Sequence, residues 1–180
     1  MVYIFLAEGF EEIEALTQID LLKRAGIDIK SVGIGGGIIT GAHGISVICD
    51  ITMDDFSDNT PELIILPGGM PGVTNLYGCE KLLSVVENSF KKGLFIAAIC
   101  AAPLILGRLG ISEGKNMVCY PGFEDELKGA TIKDVPVVRD GNIITAKAAG
   151  SAILFAHEII SALSGNISAD KVLDGIYYDR

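Results

Sequence analysis

Three continuous apolar runs constrain the fold of this 180-residue chain more than any other feature. Val2–Leu6, Leu63–Leu66 and Leu94–Ile99 lack the alternation of apolar and polar residues that a half-exposed strand shows. A strand that is apolar at every position is buried on both faces, as in a parallel sheet covered by helices. Because helical patterns stand between the runs, the sequence predicts an α/β fold with a mostly parallel central sheet.

The first helix is predicted from Phe10 to Ala25, since apolar residues recur there at about one-turn spacing at Ile13, Leu16, Ile19 and Leu22. Ser151 is the predicted N-cap of the last long helix. No repeat or linker interrupts the pattern, so residues 1–180 are interpreted as one domain. The remaining predicted elements are strands Ile27–Ile34 and Met117–Tyr120, hairpins Ile38–Thr40 with Ile45–Ile48 and Val135–Arg139 with Ile143–Ala146, and helices Lys81–Lys92, Ala101–Leu109 and Ala152–Leu163.

Charge and composition exclude several classes of function. The 23 acidic residues outnumber the 14 Lys and Arg, and the net charge of −9 disfavours nucleic acid or an anionic membrane as a partner. The longest apolar stretch, Leu94–Gly107, is too short to span a bilayer, and the first residues lack the basic segment of a signal peptide. Four cysteines without a CxxC pair indicate reduced thiols in the cytoplasm, and with two histidines no metal site is predicted.

The strongest local signal is Cys100, which lies where a buried strand meets a predicted helix. Ala98 and Ala102 provide the small residues two before and two after it that a nucleophile elbow needs. A helix N-terminus at this point is expected to lower the pKa of the thiol. The alternative is a small buried core residue, a common fate of free cysteine. The residues alone favour neither interpretation.

A second signal is Gly68-Gly69, directly after the predicted strand Leu63–Leu66. Parallel strands end at one edge of a sheet, so this loop and Cys100 are expected to share that edge. The backbone amides of Gly69 and Ala101 can then form an oxyanion hole. The loop lacks the G-K-[ST] ending of a phosphate-binding loop, and an ordinary turn is the alternative.

A third signal is the acidic start of the first helix, Glu11, Glu12 and Glu14. Acids in a first turn are usually surface charges favoured by the helix dipole. Glu14, however, shares a helix face with Leu21, so its carboxyl can point over the sheet edge and meet Cys100. His43 lies in a glycine-rich turn that can border a pocket, whereas His157 and the other three cysteines are interpreted as structural or incidental.

These segments together resemble the DJ-1/PfpI (ThiJ) superfamily, and most closely its DJ-1-like branch. The resemblance is carried by AEGFEEIEAL, LPGGMPGVTNL and KKGLFIAAICAAPLIL. It implies a flavodoxin-like three-layer sandwich, usually homodimeric, that needs no cofactor and no metal. It also implies that Cys100 is the reactive cysteine, that Glu14 is the glutamate hydrogen-bonded to it, and that Gly68, Gly69 and Ala101 surround the sulfur and the substrate.

Three positions depart from the family pattern. PfpI-type peptidases have His directly after the nucleophile, and Ala101 there makes peptidase activity unexpected. Many DJ-1-like members have His before a proline after the elbow helix, where this chain has Tyr120. Without that imidazole, Glu14 would have to move protons itself. Lys147 replaces an Arg of some relatives, and we expect Tyr120, His43 and Lys147 to border the pocket.

Three hypotheses of function follow from the resemblance. The first is an enzyme of the glyoxalase or deglycase type, in which Cys100 adds to small α-oxoaldehydes. The second is a non-enzymatic sensor of oxidative stress or a chaperone-like protein, in which an oxidant converts Cys100 to a sulfinate. The third, thiamine biosynthesis, has no support in the residues, which offer neither a phosphate cradle nor a metal site.

Overall fold

The computed structural model describes residues 1–57 and 60–179. Seven strands form the central sheet, in the order β10-β11-β7-β6-β1-β2-β5, and all neighbours pair in parallel except β10 with β11. Two small sheets pair β3 with β4 and β8 with β9. The strands are β1 (Val2–Ala7), β2 (Ile29–Ile34), β3 (Ile38–Thr40), β4 (Ser46–Ile48), β5 (Ile51–Thr52), β6 (Leu63–Leu66), β7 (Phe95–Ile99), β8 (Asn116–Met117), β9 (Thr131–Ile132), β10 (Val137–Asp140) and β11 (Ile143–Ala146).

Helices cover both faces of this sheet. They are α1 (Glu12–Arg24), α2 (Gly72–Tyr77), α3 (Glu80–Lys91), α4 (Pro103–Arg108), α5 (Ala152–Ser164) and α6 (Asn166–Gly175). Successive residues of β6 enter opposite core clusters: Ile64 packs with α2, α3 and α4, and Ile65 packs with α1, α5 and α6. The predicted three-layer α/β sandwich with a mostly parallel sheet is therefore confirmed.

The fully apolar runs mark the central strands as predicted. All six residues of β1 and all four of β6 are buried, because both faces of each strand meet a helical layer. The two predicted hairpins also form, as β3–β4 and β10–β11. The sequence pattern does not predict α2, β5 or β9, which are all short.

One predicted strand is too long. The strand expected over Met117–Tyr120 is limited to β8 and ends at Met117, so Tyr120 lies in a bend. Ser151 is the N-cap of α5, as predicted, but it makes no side-chain capping hydrogen bond, and a turn of 3₁₀ helix at Ala149–Ser151 precedes the helix. The first helix begins at Glu12 rather than Phe10, and α4 begins at Pro103 rather than Ala101.

The apolar positions whose periodicity predicts α1 are only partly buried. Ile13 is 57% exposed and Leu16 is 36% exposed. The buried face instead carries Glu12, Glu14 and Gln18 together with Ala15, Leu21 and Leu22. This helix therefore turns polar groups toward the protein and part of its apolar stripe outward. Within the described residues, no helix combines the length and hydropathy that crossing a bilayer requires.

Candidate active site

Cys100 occupies the turn between β7 and α4 in a left-handed backbone conformation, with φ +65°. Its N–H donates to the carbonyl of Ala146 at 2.9 Å, and its carbonyl accepts from the Tyr120 N–H at 2.8 Å. Such a conformation costs a residue with a side chain on the order of 1–3 kcal/mol. Because both backbone groups are held by neighbouring segments, the turn keeps Cys100 fixed at the carboxyl edge of the sheet.

Glu14 reaches this turn from the first helix, and only 1% of it is exposed. Its Oε2 accepts a hydrogen bond from the Gly68 N–H at 2.8 Å. A methyl group on Gly68 would lie 2.5 Å from that oxygen and 2.6 Å from Cys100 Cβ. Glu14 and Cys100 therefore meet across Gly68. The second carboxyl oxygen, Glu14 Oε1, is buried too, and none of the described residues donates a hydrogen bond of normal geometry to it.

The two ionisable groups shift each other's pKa. Burial raises the pKa of Glu14 to about 7, assisted by the Glu11 carboxylate and opposed by the Cys100 thiol and the Gly68 amide. Burial and the neighbouring Glu14 raise the pKa of Cys100 to about 12, against the amides of Ala101 and Gly69. The predicted lowering of the thiol pKa is therefore wrong: α4 begins only at Pro103, and burial beside a carboxyl group outweighs two amides.

One proton is effectively shared by this pair. While Glu14 is ionised, its charge disfavours a thiolate next to it. Once Glu14 takes the thiol proton, the repulsion disappears and the protonated carboxyl can donate a hydrogen bond to the sulfur. The Ala101 and Gly69 amides add two donors to the thiolate. The pKa values of about 7 for Glu14 and about 12 for Cys100 place the shared proton on the thiol at rest, so a thiolate forms only together with a protonated Glu14.

The glycine loop brings the three segments together. Gly69 has φ +90°, and a Cβ there would lie 2.4 Å from the Glu11 nitrogen and 2.6 Å from the Gly9 carbonyl oxygen. The Glu11 N–H donates to the Gly68 carbonyl at 2.9 Å. The two predicted backbone donors, Gly69 and Ala101, are directed to the sulfur, whereas the Gly68 amide is occupied by Glu14.

Glu12 holds the β3–β4 turn against the start of α1. It is 4% exposed and accepts from the His43 N–H at 2.7 Å and from His43 Nδ1 at 2.8 Å. Hydrogen bonding to Glu12 and the charge of Glu11 raise the pKa of His43. Burial alone would raise the pKa of Glu12, but the hydrogen bonds from His43 and nearby amides lower it. The interpretation of these acids as surface charges is therefore wrong for Glu12.

Comparison with known proteins gives the relationship of the chain. Residues 1–162 match the DJ-1/PfpI family. The chain belongs to the DJ-1/PfpI family. It is 32% identical to protein dj-1beta of Drosophila melanogaster over 177 aligned residues. The alignment covers 96% of this chain and 94% of that protein. It is also 32% identical over 167 residues to a deglycase of Pyrococcus horikoshii, covering 91% of this chain and 99% of that protein.

Other relatives and solved structures agree with this assignment. Protein DJ-1 homolog A of Arabidopsis thaliana is 37% identical over 175 residues, which are 95% of this chain but 45% of that protein. The chain thus spans about half the length of this plant relative. The structure of oxidized Toxoplasma gondii DJ-1 superposes with a TM-score of 0.95 at 30% identity, covering 99% of this chain and 98% of that one.

The remaining predicted site residues of this DJ-1/PfpI member have different neighbours. Tyr120 adjoins the elbow through its backbone and is 46% exposed. His43 is engaged with Glu12, and Lys147 binds Asp134 at 2.7 Å and lines a separate cavity of about 250 Å³ with Cys119. The role of Glu12 is not predicted, because nothing in the sequence pattern pairs it with a turn thirty residues later.

We predict that Gly68→Ala disrupts the site. The new methyl group would meet Glu14 Oε2 and Cys100 Cβ at under 3 Å, so the loop or α1 must move. We expect a loss of about 1–3 kcal/mol in the free energy of unfolding, measured by urea denaturation, and a changed rate of Cys100 alkylation by iodoacetamide.

Gly150→Ala is the matched control, since a Cβ at Gly150 would have no atom within 4 Å. A Gly68→Ala protein as stable as the Gly150→Ala control, with an unchanged alkylation rate, would show that the close approach at Gly68 is unimportant.

Proposed function

We propose that this protein is a cysteine-dependent enzyme of the glyoxalase or deglycase type, acting on small α-oxoaldehydes without a cofactor. The observation that carries the proposal is the unpartnered Oε1 of a buried Glu14 beside the Cys100 thiol. A carboxyl group with a pKa near 7 can both accept and return a proton at neutral pH. Similarity to an archaeal deglycase supports the same class of chemistry.

The proposed reaction is balanced without a redox partner. Cys100 Sγ bonds to the aldehyde carbon, while Glu14 takes the thiol proton and passes it to the aldehyde oxygen to give a hemithioacetal. Glu14, ionised again, then moves the proton of the former aldehyde carbon to the adjacent carbonyl carbon, and the hydroxyl proton of the hemithioacetal passes to the oxygen of that carbonyl, which converts the adduct into a thioester of an α-hydroxy acid. Water cleaves the thioester and restores the thiol. Methylglyoxal and one water thus yield lactate.

The backbone donors suit the charge that develops in this reaction. The amides of Gly69 and Ala101 already point toward the sulfur. The oxygen of a carbonyl attacked by that sulfur lies one bond further from it, within reach of the same donors. Donors fixed before the reaction stabilise a developing oxyanion without reorganisation. Tyr120 leaves the site without the family's imidazole, so proton transfer rests on Glu14.

We predict that methylglyoxal consumption and lactate formation depend on Cys100. Cys100→Ser is expected to show only background turnover, and Glu14→Gln to lose about 10²–10⁴-fold in kcat/KM, the usual contribution of a general acid–base. Cys79→Ser, a partly buried thiol away from the elbow, is the control and should retain the activity of the parent protein. No lactate from the parent protein would exclude this function for methylglyoxal.

The same assay has a predicted pH dependence. Ionised Glu14 must accept the thiol proton, so kcat/KM is expected to rise with pH and to level off above about 7, the pKa of Glu14. The fall in kcat/KM below this pH should be absent from any residual activity of Glu14→Gln. An inflection that persists in Glu14→Gln would assign it to another group.

Oxidation of Cys100 is the second candidate function. Two amides and a carboxyl group around one sulfur can hold a sulfinate, which two equivalents of peroxide would form from the thiol. Burial raises the pKa of Cys49 and of Cys119 as well as that of Cys100, so a preference for Cys100 would have to come from the carboxyl group and amides around its sulfur, not from its pKa. We predict that limiting peroxide oxidises Cys100 first, as measured by mass spectrometry, and that Glu14→Gln removes this preference. Equal oxidation of all four thiols would contradict the sensor hypothesis.

We also propose that a second copy of this chain covers the exposed apolar residues around α1. Ile13, Ile38, Ile45 and Ile48 are 57%, 62%, 53% and 81% exposed. Ile38 and Ile48 are partners in the β3–β4 hairpin, whose turn is tied to α1 by Glu12. Exposed apolar side chains concentrated in one region are typical of a protein interface.

We predict a dimer in size-exclusion chromatography with light scattering. Ile48→Lys should shift the protein to monomer, whereas Ile167→Lys, at an equally exposed position on α6, should not. A monomeric parent protein, or a dimer that persists in Ile48→Lys, would rule out this interface.

A further inference from the structure

Two large side chains on segments that join the elbow are half exposed. Met70 is 52% exposed and directly follows Gly69, whose amide points to the Cys100 sulfur. Tyr120 is 46% exposed, and its N–H donates to the Cys100 carbonyl. They lie on two different loops, one after β6 and one after β8. Both residues are therefore tied to the elbow through the backbone.

Contacts with Phe123 fix the position of Tyr120. Its ring meets the Phe123 ring edge-to-face, with centroids 6.4 Å apart and planes at 74°. The Phe123 N–H also donates to the Tyr120 carbonyl at 3.1 Å, which closes a tight turn. A ring positioned before the ligand arrives can stack with little loss of conformational entropy.

The charges around the elbow are unfavourable for an anion. Glu14 and Glu11 are the acidic groups next to the thiol and the glycine loop. Two cations predicted to border the site are bound to other acids, since His43 binds Glu12 and Lys147 binds Asp134. A carboxylate on the substrate would therefore meet the negative charge of Glu11 and of ionised Glu14 at the elbow.

We propose that Tyr120 and Met70 form an apolar rim that makes Cys100 selective for uncharged α-oxoaldehydes with an aromatic or large apolar substituent. This inference rests on the proposed function and specifies its substrate class. The substituent packs against the rim while the aldehyde carbon lies at the sulfur. Tyr120 acts through contact with the substrate, not through proton transfer, so its phenol hydroxyl is dispensable.

The test compares kcat/KM for phenylglyoxal, 4-carboxyphenylglyoxal and methylglyoxal. An aromatic contact contributes about 0.5–1.5 kcal/mol, so Tyr120→Ala should lower the phenylglyoxal-to-methylglyoxal ratio about two- to tenfold, mainly through KM. Tyr120→Phe should keep the ratio of the parent protein, and Met70→Ala should reduce it. The ring carboxylate should slow turnover relative to phenylglyoxal, because it meets acidic groups.

Tyr177→Ala, which removes a 94% exposed tyrosine after α6, is the matched control and should leave the ratio unchanged. Equal losses of kcat/KM for phenylglyoxal and methylglyoxal in Tyr120→Ala would overturn the proposal. A 4-carboxyphenylglyoxal that reacts as fast as phenylglyoxal would overturn its charge component.

A second measurement separates this inference from the proposed function. The rate of Cys100 alkylation by phenacyl bromide relative to iodoacetamide needs no turnover, and mass spectrometry can follow it. A preference for phenacyl bromide that falls in Tyr120→Ala but not in Tyr177→Ala would support the rim even if no aldehyde is turned over. An alkylation ratio unaffected by Tyr120→Ala would overturn the rim whether or not the protein is an enzyme.

Discussion

The site depends on the close approach of three chain segments at the Cα of Gly68. The carboxyl group of Glu14 comes from α1, the thiol of Cys100 comes from the turn after β7, and the Gly68 amide lies between them. No side chain fits there, since a Cβ would meet both groups at under 3 Å. This contact is possible because β1, β6 and β7 are neighbours in the sheet and end at the same edge.

Burial decides the chemistry at this contact. A thiol at a helix start is usually made more acidic, but here α4 begins three residues too late and the nearest charged group is a carboxyl. Burial raises the pKa of both the Glu14 carboxyl group and the Cys100 thiol. The two groups therefore hold a single proton, which can pass from the thiol to the carboxylate. The two amides at the sulfur then favour the thiolate only in the form in which Glu14 carries the proton.

The sequence predicts those features that depend on pattern. Fully apolar strands such as β1 and β6 identify a buried parallel sheet, and small residues around Cys100 identify a turn at its edge. It does not predict how α1 is rotated about its axis, because Ile13 and Leu16 satisfy helical periodicity yet lie outside. The true inner face carries Glu12, Glu14 and Gln18, whose burial is stabilised by partners distant in sequence, such as His43 and Ala152. Likewise the sign of the Cys100 pKa shift depends on tertiary burial that no local motif contains.

The raised pKa of Cys100 disfavours oxidation by peroxide more than it disfavours addition to an aldehyde. Peroxide reacts with the thiolate, so a thiol whose pKa is about 12 is poorly suited to react with an oxidant without prior proton transfer. An aldehyde bound at the elbow faces no such limit, because its oxygen gains a proton as the sulfur loses one, and Glu14 can mediate the exchange within one complex. In the proposed reaction, the buried pair would keep the thiol unreactive until a carbonyl is positioned beside it. On these grounds carbonyl chemistry is favoured over oxidation sensing, even though both would use the same sulfur, carboxyl group and amides.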